Sequence, residues 1–504
     1  MSFTHKKGWT GWPGEWRDAI LAPMTSVDAI VVGSGPNGLA AAVTLARAGL
    51  SVTVYERAST IGGGARTAEL TLPGFHHDVG SAVHPMALAS PFFSEFRLAD
   101  RINLVVPELS YAQPLDGGRS GLAWRDLDRT ADDLGRDGDA WRRLFAPLVD
   151  HVSSIADIAG ATPLRVPSDP ITLARLGLRV LEQGTPGWNA RFRDEVAPAL
   201  LTGVIAHSIQ KLPSLAAAAA GLVLATHAHA RGWPIPVGGS QAISDAMAAD
   251  LRAHGGTIVT DTMVDSLAAL PSSRVVLFDT SPRALEKLLG DAAPARYART
   301  LQRFRYGNAI AKVDYALSGP VPWTDTRLND AGTLHLGGYR AETAGGERAV
   351  AAGRLPRSPY VLVSQPSRYD STRAPEGKHV LWAYTHVPHG STANRSEAIT
   401  DQIERFAPGF RDRILAVTPS SAADVAWSNP NYIGGDISAG DVNLTQLLRR
   451  PTVVDPWRTP VAGVYLCSSA TSPGPGVHGL GGWNAARSAL RHEFGITSMP
   501  NLAP

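Results

Sequence analysis

The stretch VDAIVVGSGPNGLAAAVTLARAGLSVTVYERASTIGGGAR, Val27 to Arg66, decides the architecture of this 504-residue chain. Ala29-Ile30-Val31-Val32 is a short apolar run of the kind a strand buried on both faces shows, and Leu39 to Ala48 places apolar residues at helical spacing. The turn between them carries Gly33, Gly35 and Gly38. Each glycine has a task at a dinucleotide: Gly33 permits the tight turn, Gly35 lets a diphosphate approach the backbone, and Gly38 lets helix and strand pack closely. The phosphates then sit on a helix N-terminus, whose unpaired N–H groups and dipole favour anions. Ser51 to Tyr55 reads as the second strand and ends at Glu56, about twenty residues past the first glycine, where a ribose hydroxyl needs an acceptor. A lone glycine fingerprint is weak evidence. Here strand, fingerprint, helix, strand and acid agree.

Fingerprint and acid alone do not separate NAD from FAD. Ile61-Gly62-Gly63-Gly64-Ala65-Arg66 follows the acid directly, and a second glycine turn suits a second backbone approach to an extended cofactor. Arg66 adds a cation suited to phosphate or flavin, or is a plain surface arginine. This layout resembles the FAD-binding start of the flavoprotein group that includes amine oxidases and carotenoid desaturases.

The chain is long enough for a large core and for two domains. Charged residues at 18% and hydrophobic ones at 44% fit a globular enzyme. A formal charge of +2, with no dense Lys/Arg run and no zinc-type spacing, points away from nucleic acid. Cys467 is the one cysteine, which excludes an intrachain disulfide and a Cys-x-x-Cys redox pair and fits a cytoplasmic setting. Residues 1–23 carry Trp9, Trp12 and Trp16 but no apolar core of a secretory signal, and read as a peripheral extension or a misplaced start before Met24. No run reaches the roughly eighteen apolar residues of a membrane span; Leu215 to Ala225 reads as a buried helix.

Further along, His76, His77 and His84 lie in a loop before a helix starting at Ser90-Pro91, without the carboxylate or cysteine spacing that a metal site needs. Residues 106 to 228 show no strand alternation and read as helices, over Asp137 to Ala156, Ile171 to Glu182 and Asp194 to Ala206. His207 there reads as a core or helix-end histidine. A strand pair around Thr257 to Val259 and Val264, and a buried strand over Val275 to Phe278, return the chain to the cofactor sheet. Strand signals over Ala309–Leu317, Thr333–Gly337, Val361–Gln365 and His379–His386 suggest a substrate-domain sheet. Lys312 within it either serves a flavin, through a water, or pairs on the side of the sheet that carries Asp314. Finally Val464 to Cys467 is a strand, Ser468 to Gly476 a loop, and His478-Gly479-Leu480-Gly481-Gly482 leads into a helix from Trp483 to about Arg491. That second helix N-terminus would stabilise negative charge on a reduced flavin.

With both ends read, the chain resembles the phytoene dehydrogenase-related, carotenoid desaturase-like FAD oxidoreductases, in particular the branch named for a pyridine nucleotide-disulphide oxidoreductase domain. The resemblance rests on VVGSGPNGLAAA (31–42), GSAVHP (80–85), GWPIPVGGS (232–240), FRYGNAIAKVDYALSGPVPW (304–323), ERFAPGF (404–410), NPNYIGGD (429–436) and YLCSSATSPGPGVHGLGGWNAA (465–486). The expected fold is α/β: a Rossmann-type FAD-binding domain of the glutathione reductase kind, over 24–105, 229–295 and 420–504, with an inserted α+β substrate or cap domain over 106–228 and 296–419. The resemblance implies FAD held by Gly33, Gly35, Pro36, Asn37 and Gly38, by Glu56 and Arg57, by Gly63, Gly64, Ala65 and Arg66, and by Val264. It places the loop from Pro473 to Asn484 at the isoalloxazine, with Gly476, Val477, Gly482, Trp483 and Asn484 as contacts.

The expected activity is removal of hydride from a C–H of a largely apolar organic substrate, as a desaturase or dehydrogenase. One cysteine rules out the disulphide chemistry of the branch's name, and no second fingerprint provides an NAD(P)H domain, so oxygen or a quinone is the expected electron acceptor. His478 is the first choice for a base, with a loop histidine bonded to backbone as the alternative, and Lys312, holding a water at the flavin, is the other catalytic candidate. Competing functions are an amine or other C–H oxidase that releases hydrogen peroxide, and a protein that keeps FAD for isomerisation, hydration or partner binding. No metal is expected, and an apolar substrate makes transient membrane contact reasonable.

Overall fold

The computed structural model describes residues 26–160, 162 and 165–504. The expectation for residues 1–23, and the Met24 start, lie outside them. Strand β1 (Val27–Val32), helix α1 (Pro36–Arg47) and strand β2 (Val52–Tyr55) form the opening unit. The chain leaves it for a hairpin, β3 (Leu109–Pro114) and β4 (Ser120–Trp124). Helices follow, of which α2 (Val152–Gly160), α3 (Pro170–Gln183), α4 (Val196–Ala206) and α5 (Leu215–Ala230) bear on the site. It returns through α6 (Gln241–Ala253), β5 (Thr257–Val259) and β6 (Ser273–Phe278). A second excursion builds β7 (Ala309–Leu317), β8 (Ala331–Leu336), β9 (Val361–Ser364), β10 (His379–Val387) and β11 (Ile414–Ser420). Strand β12 (Val464–Leu466) and helix α7 (Leu480–Glu493) close the chain.

Five strands make a parallel sheet in the order β12-β6-β1-β2-β5. Its central register sets Val31 between Val54 and Leu277. A parallel sheet needs cover on both faces. On one face α1 lies between α6 and α7, and its Leu39, Val43 and Leu45 are fully buried. Each such side chain contributes about 1.5–3 kcal/mol of transfer free energy. Pro36 starts α1 after the extended Gly35, where the missing N–H of proline does no harm.

The second sheet has seven strands in the order β11-β7-β10-β9-β8-β3-β4, antiparallel except for β8 on β3. The four expected strands are β7 to β10. The reading of 106–228 as strandless is corrected: β3 and β4 form a hairpin through Gly117 and Gly118, both at positive φ. Every residue of β3 is buried, so both faces are covered and polarity does not alternate. Two of its polar side chains find partners inside, Ser110 Oγ donating to Ala228 O (2.9 Å) and Gln113 Nε2 to Gly338 O (2.7 Å). Edge strand β11 was also unforeseen, and Val264 sits in a loop after β5 rather than in a strand. Among the described residues no helix is long and apolar enough to cross a membrane.

Candidate active site

The two glycine turns meet. Gly33, at φ +100°, stands where a β-carbon would come within 2.8 Å of Asp279 O, and a β-carbon on Gly63, at φ +56°, would lie 3.0 Å from the Gly35 Cα. The second turn thus packs on the first. Beside them opens a cavity of about 1220 Å³, walled by Gly33, Gly35, Pro36, Asn37, Glu56 and Arg57 of the opening unit. Gly63, Gly64, Ala65, Arg66 and Val264 also line it, and so do Gly476, Val477, His478 and Lys312. The residues drawn from five separated segments therefore face one space, and the backbone there is bare enough for an extended cofactor to lie against it. This chemistry fits FAD.

Four of the candidates sit elsewhere. A β-carbon on Gly38 would collide with Gly33 O, and one on Gly482 with Asn37 O, so these two glycines serve close packing of α1 on β1 and of α7 on α1. Trp483 packs near Phe92, with ring centroids 6.4 Å apart, and Asn484 is buried in α7. Asn37 joins the two helix starts: its Oδ1 accepts from Gly481 N (3.1 Å) and its Nδ2 donates to Ser469 Oγ (3.2 Å).

Glu56 ends β2 with Oε2 accepting from Ser34 N (2.9 Å) and Ser34 Oγ (2.6 Å), and Oε1 accepting from Ala58 N (2.8 Å). Its carboxylate is thereby fixed at the cavity edge. Arg66 Nε donates to Gly63 O (2.8 Å) and braces the second turn, while Arg57 Nη2 reaches Ser428 O (3.3 Å). Asp279, after β6, is a residue that sequence reasoning missed. It faces the cavity, its Oδ2 accepts from Gly38 N (2.9 Å), and burial, with the Glu56 charge adding to it, pushes its carboxyl up to about 7. The available signal was an acid at the carboxyl end of a parallel strand, where such sheets bind ligands.

His478 lines the cavity, yet both ring nitrogens are engaged by backbone. Nδ1 accepts from Leu480 N (3.0 Å), which leaves Nε2 to carry the proton and donate to Gly474 O (3.2 Å). Burial brings its pKa down to about 4. This is the geometry of a loop brace. Lys312 donates to both Asp314 oxygens (2.8 and 2.7 Å) and to Asp78 O (2.8 Å). Alternation along β7 puts residues 312 and 314 on one face, as required. Asp78 and Asp370 in turn hold the fully buried Arg373, at 2.8 Å each. Burial raises the Asp314 carboxyl and the lysine charge opposes it.

His77 and His84 belong to this polar layer through Thr71 Oγ1 (2.8 Å) and Ser240 Oγ (2.8 Å), and burial lowers them to about 3 and about 4. His207 caps the end of α4, and its Nε2 lies 2.7 Å from His335 Nε2. Alongside His207, Thr333 and Ser364, the cavity wall carries many apolar residues. Ala216, Ala219, Ala220, Val223 and Leu224 of α5 form one side, and Ile310, Leu362, Trp382 and Tyr384 of the second sheet the other. The Trp382 and Tyr384 rings stand edge to face, centroids 5.1 Å apart, and went unread in the sequence.

Residues 37–490 match the family model described as flavin containing amine oxidoreductase. Pyridine nucleotide-disulfide oxidoreductase domain-containing protein 2 of Rattus norvegicus is 26% identical over 549 residues, covering 92% of this chain and 93% of that one. The zeta-carotene-forming phytoene desaturase of Myxococcus xanthus is 27% identical over 487 residues, covering 89% and 90%. Among solved structures, an oxidoreductase from Methanosarcina mazei superposes with a TM-score of 0.59 at 17% identity, covering 92% of this chain and all of that one, a likeness of fold.

Proposed function

The chain belongs to the flavin-containing amine oxidoreductase family, and we propose, on that footing, that this FAD-dependent oxidoreductase is a desaturase or dehydrogenase for a largely apolar organic substrate. The observation that carries this reading is the cavity itself, which continues from the glycine cradle into the aliphatic wall of α5. An extended hydrocarbon fits such a wall, where a polar substrate would leave its groups unpaired.

FAD, when bound, supplies the hydride acceptor. The chain's own residues do the rest. Gly33, Gly35, Gly63 and Gly64 would let backbone approach the cofactor, Glu56 would offer oxygens to a ribose, and Val264 would pack beside the adenine half. The loop from Pro473 to His478 would present its backbone to the ring, and the α5 wall would exclude water. His478 and Lys312 are given supporting roles, the first holding that loop and the second neutralising Asp314. The second hydrogen of the substrate leaves as a proton to solvent. Residues 24–105, 229–295 and 420–504 are proposed as the cofactor domain, with 106–228 and 296–419 as the substrate domain, on the membership of the two sheets.

Oxygen or a quinone is the proposed electron acceptor, and the single cysteine supports a cytoplasmic setting. On α3, Ile171, Leu178 and Leu181 are 65%, 65% and 53% exposed, beside the cavity-lining Leu173 and Leu176. They support transient docking on a membrane that holds the substrate. Sedimentation with lipid vesicles tests this, and equal recovery with and without vesicles would remove it.

The test of the activity is product analysis after incubation with apolar polyenes and a quinone. Products two hydrogens lighter are expected; products of unchanged mass would overturn the reading. A second reading, oxidation of amines, is favoured by the Trp382–Tyr384 pair beside Lys312. It predicts hydrogen peroxide on turnover with amines.

A further inference from the structure

The carboxyl end of β6 sets an acid against the turn that receives the cofactor's diphosphate. Parallel register pairs Phe278 with Val32, so Asp279 and Gly33 emerge side by side. Asp279 Oδ2 accepts from the N–H of Gly38, the third residue of α1, and a β-carbon on Gly35 would stand 2.5 Å from the same oxygen. Asp279 also lines the cavity. The protein therefore carries its own acid in the field that favours the phosphates.

Apart from the Gly38 N–H, which favours the charged form, the titratable groups around Asp279 do not offset its charge. From the end of β2 it faces Glu56, a second acid. From the end of β12 it faces the buried Cys467 thiol, and from the loop before β12 the Tyr432 phenol, both pushed up by burial and so uncharged near neutrality. Asn431 approaches its backbone oxygen only, at 3.5 Å. Lys287, Arg57 and Arg66 line the same cavity, but among the described residues none forms an ion pair with Asp279. A diphosphate brought beside Asp279 disfavours its charged form further, as like charges do.

We propose that Asp279 is protonated in the holoprotein, where it meets the FAD diphosphate as a hydrogen-bond donor, so that each FAD bound takes up one proton. The inference rests on the placement of the diphosphate at α1 in the reading above. Burial, with the Glu56 charge adding to it and the Gly38 N–H opposing, already pushes the carboxyl up to about 7 without the cofactor, and nearby phosphates would push it higher. The sign follows: below that value the acid is already protonated and affinity is flat, and above it a proton must be taken up on binding. Affinity then falls about tenfold for each pH unit.

The test is titration of the apoprotein with FAD from pH 6 to pH 9, followed by flavin fluorescence, with calorimetry at pH 8 in two buffers of different ionisation heat. Expected are a dissociation constant that rises about tenfold per unit above pH 7 and an uptake close to one proton. Asp279→Asn keeps an acceptor for the Gly38 N–H and a donor for phosphate; its affinity should be flat with pH and exceed the wild-type value at pH 9 by at least about tenfold. A flat wild-type profile without proton uptake, or an unchanged slope in Asp279→Asn, would overturn the inference. If Asp279→Asn does not fold, the proton count on the wild-type protein decides by itself. Gly35→Val separates the premise: loss of FAD binding in a folded variant, together with a flat wild-type profile, rejects the protonated acid alone. Intact binding in Gly35→Val rejects the placement at α1 and the inference with it.

Discussion

The backbone carbonyl of Asn37 occupies the place where a β-carbon on Gly482 would stand, while the Asn37 side chain accepts the neighbouring Gly481 N–H at 3.1 Å. Two helix starts, one at each end of the chain, are thus locked together beneath the cofactor cavity. Gly482→Val should force α7 away from α1. The expected result is destabilisation of at least about 1–3 kcal/mol, the usual range for overpacking, with loss of bound flavin. Chemical denaturation and the flavin-to-protein absorbance ratio measure both; unchanged values would mean the contact relaxes freely.

Lys312 and Asp314 form a buried pair at 2.7 Å with little solvent contact. Lys312→Met strands a carboxylate, which typically lowers stability by about 3–5 kcal/mol. Replacing both, as Lys312→Met with Asp314→Leu, should recover most of that loss. Equilibrium unfolding of the two variants checks it. Full stability in Lys312→Met with a large fall in flavin reduction would instead give Lys312 a direct part in the chemistry.

Among the described residues at least seven histidines are held neutral by burial: His77 and His207 at about 3, His84, His227, His229 and His478 at about 4, and His335 well below the ordinary value. Their folded values lie below the unfolded 6.5, so the stability they lend is present above pH 6.5 and is lost as pH falls towards 4 and 3. Each contributes a slope of up to about 1.4 kcal/mol per pH unit in that window. Unfolding free energy measured from pH 7 to pH 4 should fall with a slope of several protons. His478→Asn should shed one of them while flavin reduction by substrate stays near wild type. A large loss of reduction rate at unchanged flavin content would restore His478 as a base.

Ala220 faces the cavity from α5, away from the glycine cradle. Ala220→Phe should leave FAD bound and block an extended substrate. A fall of about tenfold or more in kcat/KM, equal to roughly 1.4 kcal/mol at the transition state, is expected for long apolar substrates. Steady-state kinetics on substrates of graded length reads it, and equal rates at every length would place the substrate elsewhere.

The opening unit was legible because its signals are local: a strand, three glycines, a helix and an acid within forty residues leave little to tertiary context. Strands β7 to β10 were legible for a similar reason, their apolar runs being long enough to stand out from their flanks. The β3–β4 hairpin was not, since burial on both faces removes alternation and its Ser110 and Gln113 look like loop residues until their distant acceptors are known. Asp279 illustrates the same limit at the site. Its acid is visible, but its meaning comes from the pairing of β6 with β1, which no local pattern reports. Gly38 was read from the fingerprint as a packing residue and through the resemblance as a cofactor contact, and Gly482 through the resemblance as a cofactor contact; only the crossing of α1 and α7 shows what Gly482 touches.

The central claim, that one cavity brings FAD against an apolar C–H donor, is tested most directly by anaerobic titration of the purified holoprotein, following flavin absorbance, with polyene, terpenoid, steroid and amine compounds in turn. Stoichiometric bleaching by an apolar class, reversed by oxygen or a quinone, is the predicted result. Bleaching by amines alone, or a firmly bound flavin that no donor reduces, would contradict it.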